Sequence, residues 1–143
     1  MTALVPSGYR LSTDPAEVDV EAVHAFLTTS YWAEGITRDV VERSIRGSAL
    51  CVSAFDLEGR QVGLCRAVSD RATFAYVADV YVLPEHRGRG LASAMMNMLL
   101  ADEDLQGLRR IILATRDAHS MYERFGFARF PQPERWMEKR PPN

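Results

Sequence analysis

The 143 residues suit a single domain, expected over residues 1–143, and are enough to bury one hydrophobic core. Hydrophobic residues at 47% and charged residues at 25% are the balance of a globular protein rather than a disordered one. A net charge of −2 argues against general nucleic-acid binding, which draws on basic surface, and no stretch is long and apolar enough to predict a membrane span. Met1 to Arg10 carries no apolar segment of a secretion signal, so a cytoplasmic location is expected. Cys51 and Cys65 are then expected as reduced thiols buried in strands, and no metal is expected.

In chain order, Tyr9 to Ser12 reads as a short strand. Asp14-Pro15 predicts the opening of a helix, since Asp14 or Thr13 can cap it and Pro suits a first turn; Val18, Val23, Phe26 and Leu27 give it an apolar stripe. Thr37 to Ile45 predicts a second helix. Ala49–Phe55 and Gln61–Val68 alternate as strands around Asp56-Leu57-Glu58-Gly59-Arg60, which has the chemistry of a hairpin turn. Thr73–Leu83 is a further strand, stopped by Pro84. A long apolar helix is expected from Leu91 to about Asp104, a buried strand over Ile111–Ala114, and a helix over His119–Phe125 ended by Gly126. Phe127–Phe130 and Arg135–Glu138 read as a last hairpin. The strand–helix–strand run from Thr73 to Ala114 implies a right-handed crossover between parallel strands. The expected fold is therefore α/β (α+β): a mixed, mostly antiparallel sheet with a central βαβ unit and helices on both faces.

Ligands of a βαβ unit bind beyond the carboxyl ends of its strands, which here is His86 to Ala92. Gly88 and Gly90 let the chain turn tightly just where a helix begins. Unpartnered backbone N–H groups and the helix dipole favour an anion there, and Arg87 and Arg89 add positive charge. The segment is suited to a phosphate or pyrophosphate. It lacks the Gly-Lys-Ser/Thr of a P-loop. It also lacks the third glycine and the later acidic residue of a dinucleotide fingerprint, because Ser93 and Thr115-Arg116 stand in those places.

Val82-Leu83-Pro84-Glu85-His86-Arg87-Gly88-Arg89-Gly90-Leu91-Ala92 resembles the acetyl-CoA signature of the GNAT acetyltransferases, whose core Arg87, Gly90 and Ala92 satisfy. Ala118 to Phe127, with Tyr122 before Gly126-Phe127, resembles that family's later helix. The order of elements is also the family's, so the resemblance spans essentially the whole chain. It implies acetyl-CoA as co-substrate. Backbone N–H groups from Gly88 through Arg89, Gly90, Leu91 and Ala92 to Ser93 would hold the CoA pyrophosphate, with Arg87 at the mouth of the loop. Val80, Tyr81 and Val82 would pair with the pantetheine arm where the strands Thr73–Leu83 and Ile111–Ala114 splay apart beyond Val82. Tyr122 would sit near the thioester sulfur. Many family members place an Asn at the start of the late helix; Thr115-Arg116-Asp117 stands here, and Asp117 is the expected substitute contact.

The resemblance implies an N-acetyltransferase whose acceptor is a primary amine, of a small molecule or a protein, attacking directly in a ternary complex. A non-catalytic acyl-CoA-sensing module on the same fold is the alternative. An N–H near Val82 would hold the oxyanion and Tyr122 would be the general acid, since a phenol is protonated at neutral pH. The base is open between Asp79, His119 and a water chain. Neither cysteine has an obvious activating base for an acyl-carrying role. Tyr31, Trp32, Phe74, Tyr76 and Trp136 are expected mostly in the core; the resemblance puts Tyr31-Trp32-Ala33-Glu34-Gly35, between the first two helices, on the acceptor side, where one or two of its residues would shape the pocket. Asp70, Glu34 and Asp79 are available to attract a cationic amine. No nucleic-acid or membrane partner is expected, and a homodimer is compatible with the family.

Overall fold

The computed structural model describes residues 4–142. Its strands are β1 (Tyr9–Ser12), β2 (Leu50–Asp56), β3 (Gln61–Ser69), β4 (Phe74–Val82) and β5 (Arg110–Ile112). Its helices are α1 (Val20–Leu27), α2 (Arg38–Gly47), α3 (Leu91–Ala101) and α4 (His119–Glu123). The sheet runs β1-β2-β3-β4-β5, antiparallel throughout except for the parallel pair β4–β5. Leu91, Met95, Met96 and Leu99 of α3 pack on one face against Val52, Ala54, Cys65 and Val77. Val23, Leu27, Val41 and Ile45 of α1 and α2 pack on the other against Cys51, Leu64 and Tyr81. Helices therefore cover both faces, as the apolar patterning requires. No helix among the described residues is long and apolar enough to cross a membrane.

Several boundaries depart from expectation for local reasons. The helix expected to open at Asp14-Pro15 is a 3-10 turn over Pro15–Glu17, and α1 starts afresh at Asp19, which accepts from the Ala22 N–H. The Asp19 N–H is taken by the buried Gln61 side chain at 2.8 Å, which pins the chain between the two starts. The helix expected to reach Asp104 stops at Ala101, because Asp102 caps a new 3-10 turn. The C-terminal hairpin does not form. Pro131 and Pro133 remove donors from that run, and Pro133 instead opens a 3-10 turn. Phe130 stacks on Trp136 with ring centroids 4.4 Å apart. The βαβ unit thus lies at the edge of the sheet.

The middle of β4 is irregular. Leu64 pairs with Tyr81 but Arg66 with Ala78, so Asp79 and Val80 together stand opposite Cys65. This is a bulge, and Asp79 adopts φ 54°, a left-handed conformation that Asp tolerates better than most residues. Gly63 on β3 pairs with Val82 just past the bulge, where a Cβ would lie 2.9 Å from the Tyr81 carbonyl oxygen. Past the bulge β4 has no neighbour on its far side: β5 pairs only with Phe74, Ala75 and Tyr76. The splay expected beyond Val82 therefore opens earlier, at Val77, where β5 ends at Ile112.

Burial also sets the alkaline limit of the fold. It pushes the Cys65 and Cys51 thiols and the Tyr81 hydroxyl upward from ordinary values of 9.0 and 10.0, and Tyr122 up to about 12. The unfolded chain ionises first, so the stability these neutral groups contribute is intact below the ordinary values and lost as pH rises toward the folded ones. Melting temperature should be level at neutral pH and fall above about pH 9. A calorimetric series unchanged to about pH 11 would contradict this burial.

Candidate active site

The loop after β4 is shaped by glycines. A 3-10 turn over Pro84–His86 leads through Arg87 to Gly88 at φ 76° and Gly90 at φ 88°. Gly90 is the N-cap of α3 and offers no side chain to the helix. The N–H groups of Leu91, Ala92 and Ser93 therefore end without a side-chain cap, aligned with the positive end of the helix dipole. The loop is braced from β1. The Tyr9 hydroxyl accepts from Arg89 Nη1 at 2.8 Å and shares a 2.6 Å hydrogen bond with His86 Nδ1. Arg89, expected at the cofactor, thus turns toward Tyr9. Arg87 folds back to donate from Nε to the Val82 carbonyl at 2.8 Å.

The loop forms one end of a cleft of about 790 Å³ lined also by Val80, Val82, Asp117, Met121 and Tyr122. The Leu83 N–H donates to Val62 on β3 at 2.8 Å, so by strand alternation the polar groups of Val82 and Val80 face the splay. Those of Tyr81 face β3 instead. Tyr81 was expected to pair through its backbone, but it contributes a ring, stacked on Phe26 at 4.2 Å and 6°. Tyr122 is 8% exposed, its ring set edge-on to Phe127 at 6.0 Å.

Beyond the bulge lies a second cavity of about 320 Å³, walled by Tyr31, Trp32, Tyr76, Asp79, Arg116 and Tyr122. Asp79 Oδ2 accepts from Arg66 Nε at 2.7 Å and Oδ1 from Trp32 Nε1 at 2.9 Å. The Arg116 guanidinium lies over the Tyr31 ring at 3.9 Å, joining the loop before α4 to the loop between α1 and α2. Tyr31, Trp32, Val80 and Tyr122 line both cavities, so these form two arms meeting at Tyr122. His119 lies elsewhere, in a hollow of about 460 Å³ with Glu123, Phe127 and Phe130. Asp70 is committed to its own turn, accepting from the N–H groups of Ala72 and Thr73.

This forked cleft on a splayed sheet can be set beside known proteins. The GNAT acetyltransferase domain family matches residues 46–129. The chain belongs to the GNAT acetyltransferase family. A Gibberella zeae protein bearing an acetyltransferase name is 35% identical over 136 residues, spanning 80% of this chain and 75% of that protein. Serotonin N-acetyltransferase 2 of Oryza sativa subsp. japonica is 38% identical over 86 residues, 59% of this chain and 43% of the rice protein. A crystal structure from Xanthomonas campestris pv. campestris, assigned to the GNAT family, shares the fold at a TM-score of 0.90 and 45% identity over 96% of each chain.

In this GNAT acyltransferase the candidate site residues fall into two rows, one local and one assembled by the fold. Val80, Val82, Arg87, Gly88, Gly90, Leu91, Ala92, Ser93, Asp117 and Tyr122 border one cleft. Asp79 borders the other arm, and His119 and Asp70 border neither. Sequence reasoning missed Tyr9, Arg66 and Arg116. Tyr9 and Arg66 sit in ordinary strand patterns and acquire their roles from partners far along the chain. Arg116 carried a signal, since it occupies the stretch where the family's Asn is absent.

Proposed function

We propose that this GNAT acyltransferase moves an acetyl group from acetyl-CoA to a primary amine that attacks directly in a ternary complex. The observation that carries this reading is the forked cleft: an anion-suited loop at one end, a free strand edge along it, and a second cavity opening at Tyr122. The fit to CoA rests on the uncapped N-terminus of α3, the left-handed Gly88 and Gly90, and the outward N–H groups of Val80 and Val82. The loop N–H groups and Arg87 would hold the pyrophosphate, and Val80 and Val82 the pantetheine amides, with Asp117 at the opposite lip.

The thioester supplies the activated acetyl group. The outward N–H of Val82 or Val80 would serve the developing oxyanion, as preorganised backbone donors do. Amine nitrogen bonds to the carbonyl carbon, the carbon–sulfur bond breaks, and CoA leaves with the electron pair on sulfur. Tyr122 donates its hydroxyl to that sulfur. At about 12 its pKa lies above that of an ordinary thiol near 8.5, so the phenol stays protonated and acts chiefly by a hydrogen bond to the departing thiolate. Both oxygens of Asp79 are occupied by donors, so the amine's proton leaves through water.

CoA is expected to raise the melting temperature, as any ligand of the folded state does by mass action, with a stabilisation of about 2.7 kcal/mol at a hundredfold excess over Kd. NAD and ATP are expected to shift it far less, since the loop lacks their fingerprints. Thermal unfolding with each of the three checks this; equal shifts, or none with CoA, would remove the cofactor assignment.

A further inference from the structure

The indole of Trp32 is 42% exposed, yet its position is fixed through a chain of hydrogen bonds that crosses the molecule. The Ser48 hydroxyl, at the C-cap of α2, donates to the Ser44 carbonyl at 2.7 Å and accepts from Arg66 Nη1 at 3.2 Å. Arg66 on β3 donates from Nε to Asp79, and Asp79 accepts the indole N–H of Trp32. The side chains of Arg66 and Asp79 are only 16% and 9% exposed, so their pairing is little screened by water. The left-handed backbone of Asp79 is a conformation that persists where its surroundings over-determine it. Helix α2, strand β3, the bulge of β4 and the loop carrying Trp32 are thus tied into one unit. Each oxygen of the Asp79 carboxylate is held by a protein donor, which fixes its orientation.

The same bonds decide what charge the second cavity presents. Its charged lining residues are Asp79, Arg116 and Asp117. Asp79 is neutralised by Arg66, and Arg116 lies 3.6 Å from Asp117 while covering Tyr31. Arg116 and Asp117 are 64% and 70% exposed and of opposite sign, so among the described residues the lining carries no net charge to match a second ammonium, a carboxylate or a phosphate on the acceptor. What remains is aromatic surface from Tyr31, Trp32, Tyr76 and Tyr122 around about 320 Å³. That volume lies at the small end of ligand sites, about 300–1,000 Å³.

We propose that Arg66 and Asp79 are positioning residues that hold Trp32 as a fixed wall of the acceptor cavity, and that this cavity selects a small monoamine with an apolar carbon skeleton. The inference rests on the acetyl-transfer reading above and names its acceptor class. A second charge would be desolvated without a partner, whereas a flat or narrow apolar chain loses water to the aromatic walls at no such cost.

The experiment pairs amines that differ by one charge: 2-phenylethylamine against phenylalanine, and hexylamine against 1,6-diaminohexane, each with acetyl-CoA. The monoamine of each pair is expected to have the higher kcat/KM by about tenfold or more. Trp32→Phe keeps a ring but removes the N–H, and Asp79→Asn keeps the shape and tolerates the left-handed backbone. Each is expected to raise KM for the monoamine about tenfold, with kcat and the KM for acetyl-CoA nearly unchanged, the pattern of lost acceptor binding. The double variant is expected to be little worse than either single one, because both cut the same connection. The acid limb of the kcat/KM profile is expected to survive in Asp79→Asn.

Preference for phenylalanine or the diamine would overturn the acceptor class. Loss of kcat by about a hundredfold together with the acid limb in Asp79→Asn would make that residue the base and overturn its positioning role. Additive single effects would show that Trp32 does not act through Asp79. If Asp79→Asn fails to fold, Trp32→Phe and the amine pairs still decide the matter. Should wild type bind CoA yet acetylate no amine, the transfer reading itself fails, and this inference with it.

Discussion

Tyr122→Phe is expected to slow turnover by about 10²–10⁴-fold while leaving the KM for acetyl-CoA almost unchanged. The ring is 8% exposed and packs edge-on against Phe127, and phenylalanine preserves both features, so the melting temperature should move little. What disappears is a donor whose pKa of about 12 keeps it protonated across the working range. For the same reason Tyr122 should impose no alkaline limb on the rate below about pH 10. The loss should shrink with acyl donors that release a more acidic thiol, because a stable thiolate needs less help. Steady-state kinetics with such a series separates the roles: a variant with full kcat would leave the tyrosine a packing residue and the sulfur departing unassisted.

Gly90→Val is expected to weaken CoA binding by about a hundredfold or more. The residue sits at φ 88°, where a β-branched side chain is strained by about 1–3 kcal/mol, and the loop must rearrange to relieve it. Space is not the obstacle, since the nearest atom to a new Cβ is Pro6 Cγ at 3.9 Å. The damage comes from redirecting the N–H groups that open α3, and charge-assisted hydrogen bonds of this kind each contribute about 1.5–3 kcal/mol. Gly59→Ala supplies the control. Gly59 has φ 83° with nothing near its Cβ, in the β2–β3 turn far along the chain from the loop, so it incurs backbone strain alone. Titration calorimetry should find CoA affinity lost in the first variant and kept in the second; equal affinity in both would remove the loop from the phosphate site.

The glycine-turned loop that opens α3 could be read from sequence because its chemistry is local. Glycines, a helix start and flanking arginines lie within a few residues, and a backbone that presents N–H groups needs no distant partner. The order of strands and helices was legible for the same reason, through apolar periodicity. Asp79 shows the opposite case. Its type and its place on a strand were visible, but its partner Trp32 lies 47 positions away, and only the fold reveals that both carboxylate oxygens are engaged. Tyr9 and Arg89 are 80 positions apart, and nothing in either neighbourhood announces the contact that turns Arg89 from the cleft. The C-terminal hairpin failed on a local signal given too little weight, the prolines at 131 and 133 in a run that otherwise alternates.

Where β4 runs on past the end of β5, the polar groups of Val80 and the N–H of Val82 face the splay, while the Val82 carbonyl is covered by Arg87. A row of unsatisfied strand donors and acceptors is the kind of surface on which another extended chain can nucleate, whatever its sequence. On the proposed binding mode, the groove that would admit pantetheine is also the place where the protein without its donor is most open to sticking to itself or to a stray unfolded segment. Occupancy by the donor would close that edge. Supply of the acyl carrier in the cell would then govern how long the protein stays monodisperse as well as how fast it works, and purification with CoA present becomes a matter of colloidal behaviour before any question of catalysis.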